Sequence, residues 1–96
     1  MEDFRDARVY IGNIDYRMTI PQLEVLLGTC GAIRDVFMPA PVEPGVDKRV
    51  NRGYAFVSFV YPESARGAVD TLHKSVEPTF RRTLVVQMAK PRPAKI

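Results

Sequence analysis

Polar and apolar positions alternate most clearly over Arg52 to Val60, where Gly53, Ala55, Val57 and Phe59 fall on one side and Arg52, Tyr54, Phe56 and Ser58 on the other. A period of two is that of a half-buried strand. Enrichment in β-branched and aromatic side chains predicts three more strands, over Arg8 to Ile14, Ile33 to Met38 and Thr83 to Ala89. Two intervening segments switch to the period of a helix. Leu23, Leu26, Leu27 and Cys30 recur at helical spacing after Thr19, which with Gln22 forms a capping box while Pro21 sits in the first turn, where no amide donor is missed. Gly31 is expected to end this helix. Ala65, Ala68, Val69 and Leu72, at i, i+3, i+4 and i+7, form one apolar stripe on a second helix that opens at Pro62.

The order strand, helix, strand, strand, helix, strand predicts an α+β fold, a ferredoxin-like βαββαβ sandwich in which a four-stranded antiparallel sheet carries two helices on one face. The other face is left uncovered, and a function can be placed there. Pro39, Pro41 and Pro44 stop the second strand, because proline removes ladder donors. The loop that follows runs for about twelve residues to Asn51, long enough to be either a binding loop or a mobile segment. The expected organisation is a flexible N-terminus at 1–7, one domain at 8–90 and a basic tail at 91–96.

Length and composition narrow the function classes. Ninety-six residues suit one domain with its own core. With 46% hydrophobic and 26% charged residues, the chain has the balance of a folded soluble domain, not of a disordered one. No apolar run approaches the roughly 20 residues a membrane span needs, and the opening MEDFRDAR lacks the apolar stretch of a signal peptide, so a nuclear or cytoplasmic location is expected. One cysteine, Cys30, and one histidine, His73, supply neither a disulfide nor a zinc ligand set, so no metal and no cofactor is expected. A net charge of +3 favours a polyanionic partner without choosing it.

On the uncovered face the alternation places Tyr54 and Phe56, and by the same logic Tyr10 and Gly12, since Val9 and Ile11 belong to the core. Exposed rings are costly unless something binds them. Arg52-Gly53-Tyr54-Ala55-Phe56-Val57-Ser58-Phe59 matches the octamer signature of the RNA recognition motif at every specified position, and Val9-Tyr10-Ile11-Gly12-Asn13-Ile14 resembles that family's hexamer. The resemblance covers about Arg8 to Lys90. It implies a binding module for single-stranded RNA, monomeric on its own, active in RNA processing or mRNA metabolism, with base-stacking positions at Tyr10, Tyr54 and Phe56 and a basic position at Arg52. Rings stack on any base, and arginine can pair with phosphate or stack as a planar cation.

Further candidates come from the residues themselves. Gln87 is outward on the fourth strand and offers its amide to a base edge, while Leu84, Val86 and Met88 are expected inward. Phe37 is a further outward ring or a half-buried edge residue. Lys48, Arg49 and Lys90, with Arg92 and Lys95, are either grips for the RNA backbone or solvated charges. Gly12 is expected to leave room for a nucleotide, and Ala55 to let a helix pack closely. Arg81 stands where the family commonly has glycine, and Phe80-Arg81-Arg82 reads as a surface turn with one tucked-in ring or as a basic wall.

Two other function classes compete. A protein-interaction domain on the same fold would dock a partner protein on the sheet or the helical side. Its peptide-binding branch carries Arg-x-Phe before the fourth strand, but Pro78 occupies the arginine position here. A small phosphatase of similar topology, such as acylphosphatase, needs a glycine-rich phosphate cradle, which the turn Asn13 to Met18 lacks. No nucleophile, base and orienting group stand together: His73 reads as a helix-end residue, and Asp15 and Asp35 as turn and edge residues. No catalytic residue is expected.

Overall fold

Thr19 starts the first helix as its neighbours dictate. Its hydroxyl accepts from the Gln22 amide at 3.4 Å, and the Gln22 side-chain oxygen accepts from the Thr19 amide at 2.9 Å, which satisfies two of the amides a helix start leaves open. In the computed structural model, which describes residues 7–41 and 49–89, the elements in chain order are β1 (Arg8–Gly12), α1 (Ile20–Gly28), β2 (Ile33–Phe37), β3 (Tyr54–Phe59), α2 (Pro62–Leu72) and β4 (Val85–Met88). α1 stops three residues short of Gly31, because the carbonyls of Leu27 and Gly28 are taken by the amides of Cys30 and Gly31 in a tightened last turn.

The strands form one sheet in the order β2-β3-β1-β4, every neighbouring pair antiparallel. Val9 and Ile11 of β1, Ala55, Val57 and Phe59 of β3 and Val86 of β4 are fully buried, together with Leu23 and Leu27 of α1 and Ala65 and Ala68 of α2. Both helices therefore cover one face, and three small alanines bring α2 close to the sheet. Burying a ring such as Phe59 contributes about 1.5–3 kcal/mol, so the packing of this core is a main source of the fold's stability. The α+β sandwich expected from the pattern is the one observed.

Element ends differ from the pattern in three places. β3 begins at Tyr54 instead of Arg52, because Gly53 adopts φ +91° and breaks the alternation. β4 begins at Val85 because Thr83 and Leu84 pair instead with the segment after α2: Thr83 bridges Val76, and Leu84 exchanges backbone hydrogen bonds with Lys74 and Ser75 at 2.8 Å each. Met88, expected inward, is 42% exposed, since it ends an edge strand with a neighbour on one side only. Arg81 adopts φ +59°, the left-handed conformation that explains why glycine would suit its position.

Candidate nucleic-acid interface

Strand register decides which side chains meet on the uncovered face. Phe37 lies opposite Phe56, Phe56 opposite Tyr10, and Tyr10 opposite Gln87, so one straight row crosses all four strands. The neighbouring row holds Tyr54, Gly12 and Val85, and on the other side lie Asp35, Ser58 and Arg8.

The four rings form two pairs. Tyr10 and Tyr54 have centroids 6.2 Å apart and planes within 25°, and Phe37 and Phe56 are 6.4 Å apart with the same angle. The pairs meet edge-on: Tyr10 and Phe56 are 5.6 Å apart at 63°, Tyr54 and Phe56 6.1 Å apart at 85°. Within each pair the rings are stacked, and the edge contacts between pairs follow the favoured quadrupole geometry of aromatic rings. Tyr10, Tyr54 and Phe56 are half-buried, and Phe37 is 41% exposed, which makes it an outward ring. Gly12 lies under the Tyr10 ring. A Cβ there would stand 2.7 Å from the Tyr10 hydroxyl, so the absence of a side chain lets Tyr10 lean across this position toward Tyr54.

The other sequence candidates are dispersed. Gln87 is exposed beside Tyr10. Arg52 precedes the strand, and its Nε donates to the Ala40 carbonyl at 2.6 Å, which ties it to the loop after β2. Arg49 lies with Cζ 4.8 Å from the centroid of the exposed Tyr16 ring, at the turn after β1. Lys48 and Lys90, with Arg92 and Lys95, lie outside the described residues. Arg8 was not among the candidates, yet its Cζ is 4.2 Å from the centroid of Phe56. The signal was present in the sequence: Arg8 is two positions from Tyr10 and shares its side of β1.

Beyond the rings, the turn after β1 is held by polar contacts. Asn13 donates to the Thr83 carbonyl and accepts from Arg82, both at 2.6 Å. Arg17 binds Asp15 through Nε at 2.9 Å and lies over Phe80, which packs against the core as a tucked-in ring. The side-chain hydrogen bond from Arg17, then that from its amide, hold the Asp15 carboxyl below the usual carboxylate range. Asp15 is thus a turn residue in an ion pair. His73 caps α2, and its Nδ1 accepts from the Val86 amide at 3.1 Å, a structural role that ties the end of α2 to β4. Among the described residues, no cluster of three or more His, Cys, Asp and Glu is placed to hold a metal ion, and no helix is long and apolar enough to cross a membrane.

The RNA recognition motif family model matches residues 9–79. Over 82 residues the chain is 32% identical to embryonic polyadenylate-binding protein 2 of Rattus norvegicus, covering 85% of this chain and 28% of that protein. Over 78 residues it is 36% identical to serine/arginine-rich splicing factor SC35 of Arabidopsis thaliana, covering 81% of this chain and 24% of that protein. The chain therefore spans about a quarter of the length of these relatives. It is also similar to the solved structure of the Rna15 RRM with bound RNA (GU), with a TM-score of 0.76 and 26% identity over 92% of this chain and 87% of that one.

Proposed function

The chain belongs to the RNA recognition motif family, and from that premise we propose that it binds single-stranded RNA on the uncovered face of its sheet and serves RNA processing, in the nucleus or the cytoplasm. The observation that carries this reading is the row Phe37, Phe56, Tyr10 and Gln87 across all four strands, with Tyr54 beside it, on the face opposite both described helices. Two paired ring surfaces offer stacking to two bases. Each stack is worth about 1 to 3 kcal/mol by alanine substitution and is tolerant of base identity, so the rings dominate affinity. Gln87, with donors and acceptors, addresses a base edge next to Tyr10. Arg49 and Arg52, in the segment before β3, and Lys48 and Lys90 are assigned a phosphate-binding role from sequence. The binding domain is residues 8–90.

The test uses two labelled probes chosen from the chemistry named for the relatives, a GU-repeat octamer and an oligoadenylate octamer, with binding read by fluorescence anisotropy. Replacing both Tyr54→Ala and Phe56→Ala is expected to weaken binding by about 2 to 6 kcal/mol. The far-ultraviolet circular dichroism spectrum should stay unchanged, since both rings lie on the solvent side. Equal affinity of the double variant and the parent would reject the sheet face as the RNA site.

A further inference from the structure

Resting on the reading of the sheet face as the RNA site, we infer that Arg8 is a further RNA-binding residue: its guanidinium covers Phe56 in the free chain, then yields that ring to a base and moves its charge to the adjoining phosphate. Arg8 opens β1, and the full burial of Val9 and Ile11 fixes its side chain on the same face as Tyr10. In register it faces Ser58, two positions along β3 from Phe56, so it reaches diagonally to bring Cζ 4.2 Å from the ring centroid. That distance is well inside the roughly 6 Å reach of a cation over a ring. Phe56 is half-buried and flanked by Tyr10, Tyr54 and Phe37, so the side under Arg8 is the one a base can reach.

A guanidinium and a base are both flat, and one ring face holds one of them. The base wins the exchange, because a base stacked on an aromatic side chain is held more firmly than a cation at an exposed site. The displaced guanidinium stays charged at any relevant pH and remains tethered beside the ring. The nucleotide that displaces it brings its own phosphate alongside, an acceptor with which arginine forms paired hydrogen bonds. Arg8 thus shields a half-buried ring before binding and adds one phosphate contact after it.

The experiment compares the parent chain, Arg8→Ala, Arg8→Lys and Phe56→Ala with the same two octamers over a salt series. Arg8→Ala is expected to reduce the log-log salt slope by about 0.7, the value of one phosphate contact on a single strand. Arg8→Lys should keep the slope. In the parent chain, the side-chain δ protons of Arg8 should resonate upfield in the free state, from the Phe56 ring current, and return to ordinary positions when RNA saturates the site. Unchanged slope in Arg8→Ala, or Arg8 protons that stay upfield at saturation, overturns the inference while Phe56→Ala still weakens binding. If the parent chain binds neither octamer, the sheet-face reading fails and this inference falls with it. The proton measurement needs no variant, so a poorly folded Arg8→Ala leaves the inference testable.

Discussion

Asn51 and Glu77 are buried although polar, and each is buried because its side chain completes backbone hydrogen bonds that a turn leaves open. Glu77 accepts from the amides of Thr79 and Phe80 at 2.8 and 2.7 Å. Asn51 donates to the carbonyls of Asp15 and Met18 at 2.9 Å each and accepts from the Gly53 amide, and so joins the turn after β1 to the entry of β3. Asn51→Leu keeps the volume but strands the Met18 carbonyl and the Gly53 amide, while the Asp15 carbonyl keeps the Met18 amide as a donor; at about 1 to 3 kcal/mol for each stranded group, a loss of about 2 to 6 kcal/mol is expected. The urea midpoint checks it, and a loss below about 0.5 kcal/mol would show that water replaces the side chain. Nothing in the sequence marks Asn51 as special. Two of its three partners lie 36 and 33 positions away, and neither a period of two nor one of 3.6 registers a contact of that range.

At the scale of elements, local chemistry is legible where it acts through neighbours in the chain. The capping box at Thr19 and the opening of α2 at Pro62 both stand where the sequence places them. Element ends set by tertiary pairing are not legible in this way: β4 starts late because Leu84 is committed to Lys74 and Ser75, which alternation along one segment does not encode. The two helices differ in how well they start. α1 has a reciprocal cap, whereas Tyr61, extended at φ −120° and ψ 138° in the N-cap position of α2, has no side-chain bond to the helix. Substitutions at the two caps should therefore act with opposite sign. Thr19→Ala is expected to lower stability by about 0.5 to 1 kcal/mol, near the weak end of the range because its own bond is long. Tyr61→Asp is expected to raise stability by about 0.5 to 1 kcal/mol by supplying the missing acceptor and a negative charge at the helix start. Both follow from urea unfolding, and stabilisation by neither sign of change would mean that tertiary packing alone fixes the helix ends.

At the scale of the whole molecule, the proposed site follows from a topology that sets β1 beside β3, with both described helices on the opposite face of the sheet. Tyr10, Tyr54 and Phe56 are legible from sequence, since a period of two fixes their side and the element order makes their strands neighbours. Arg52 is less so, because one glycine with positive φ detaches it from the strand pattern. Arg8 escapes notice because a charged residue at a strand start looks like ordinary solvated charge until its ring partner, on another strand, is in place. The same arrangement sets the response to salt. A net charge of +3 is modest, and in the proposed binding mode the rings, whose stacking releases no counterions, supply much of the affinity. With about three phosphate contacts, one from Arg8 and the rest from the flanking basic residues, the log-log slope should be near −2, so that a fourfold rise in salt weakens RNA binding roughly 16-fold. A slope several times steeper would mean that phosphates, not rings, hold the strand. A tight complex insensitive to salt would instead indicate that the aromatic face docks a partner protein, because burial of apolar rings against another protein carries no counterion release.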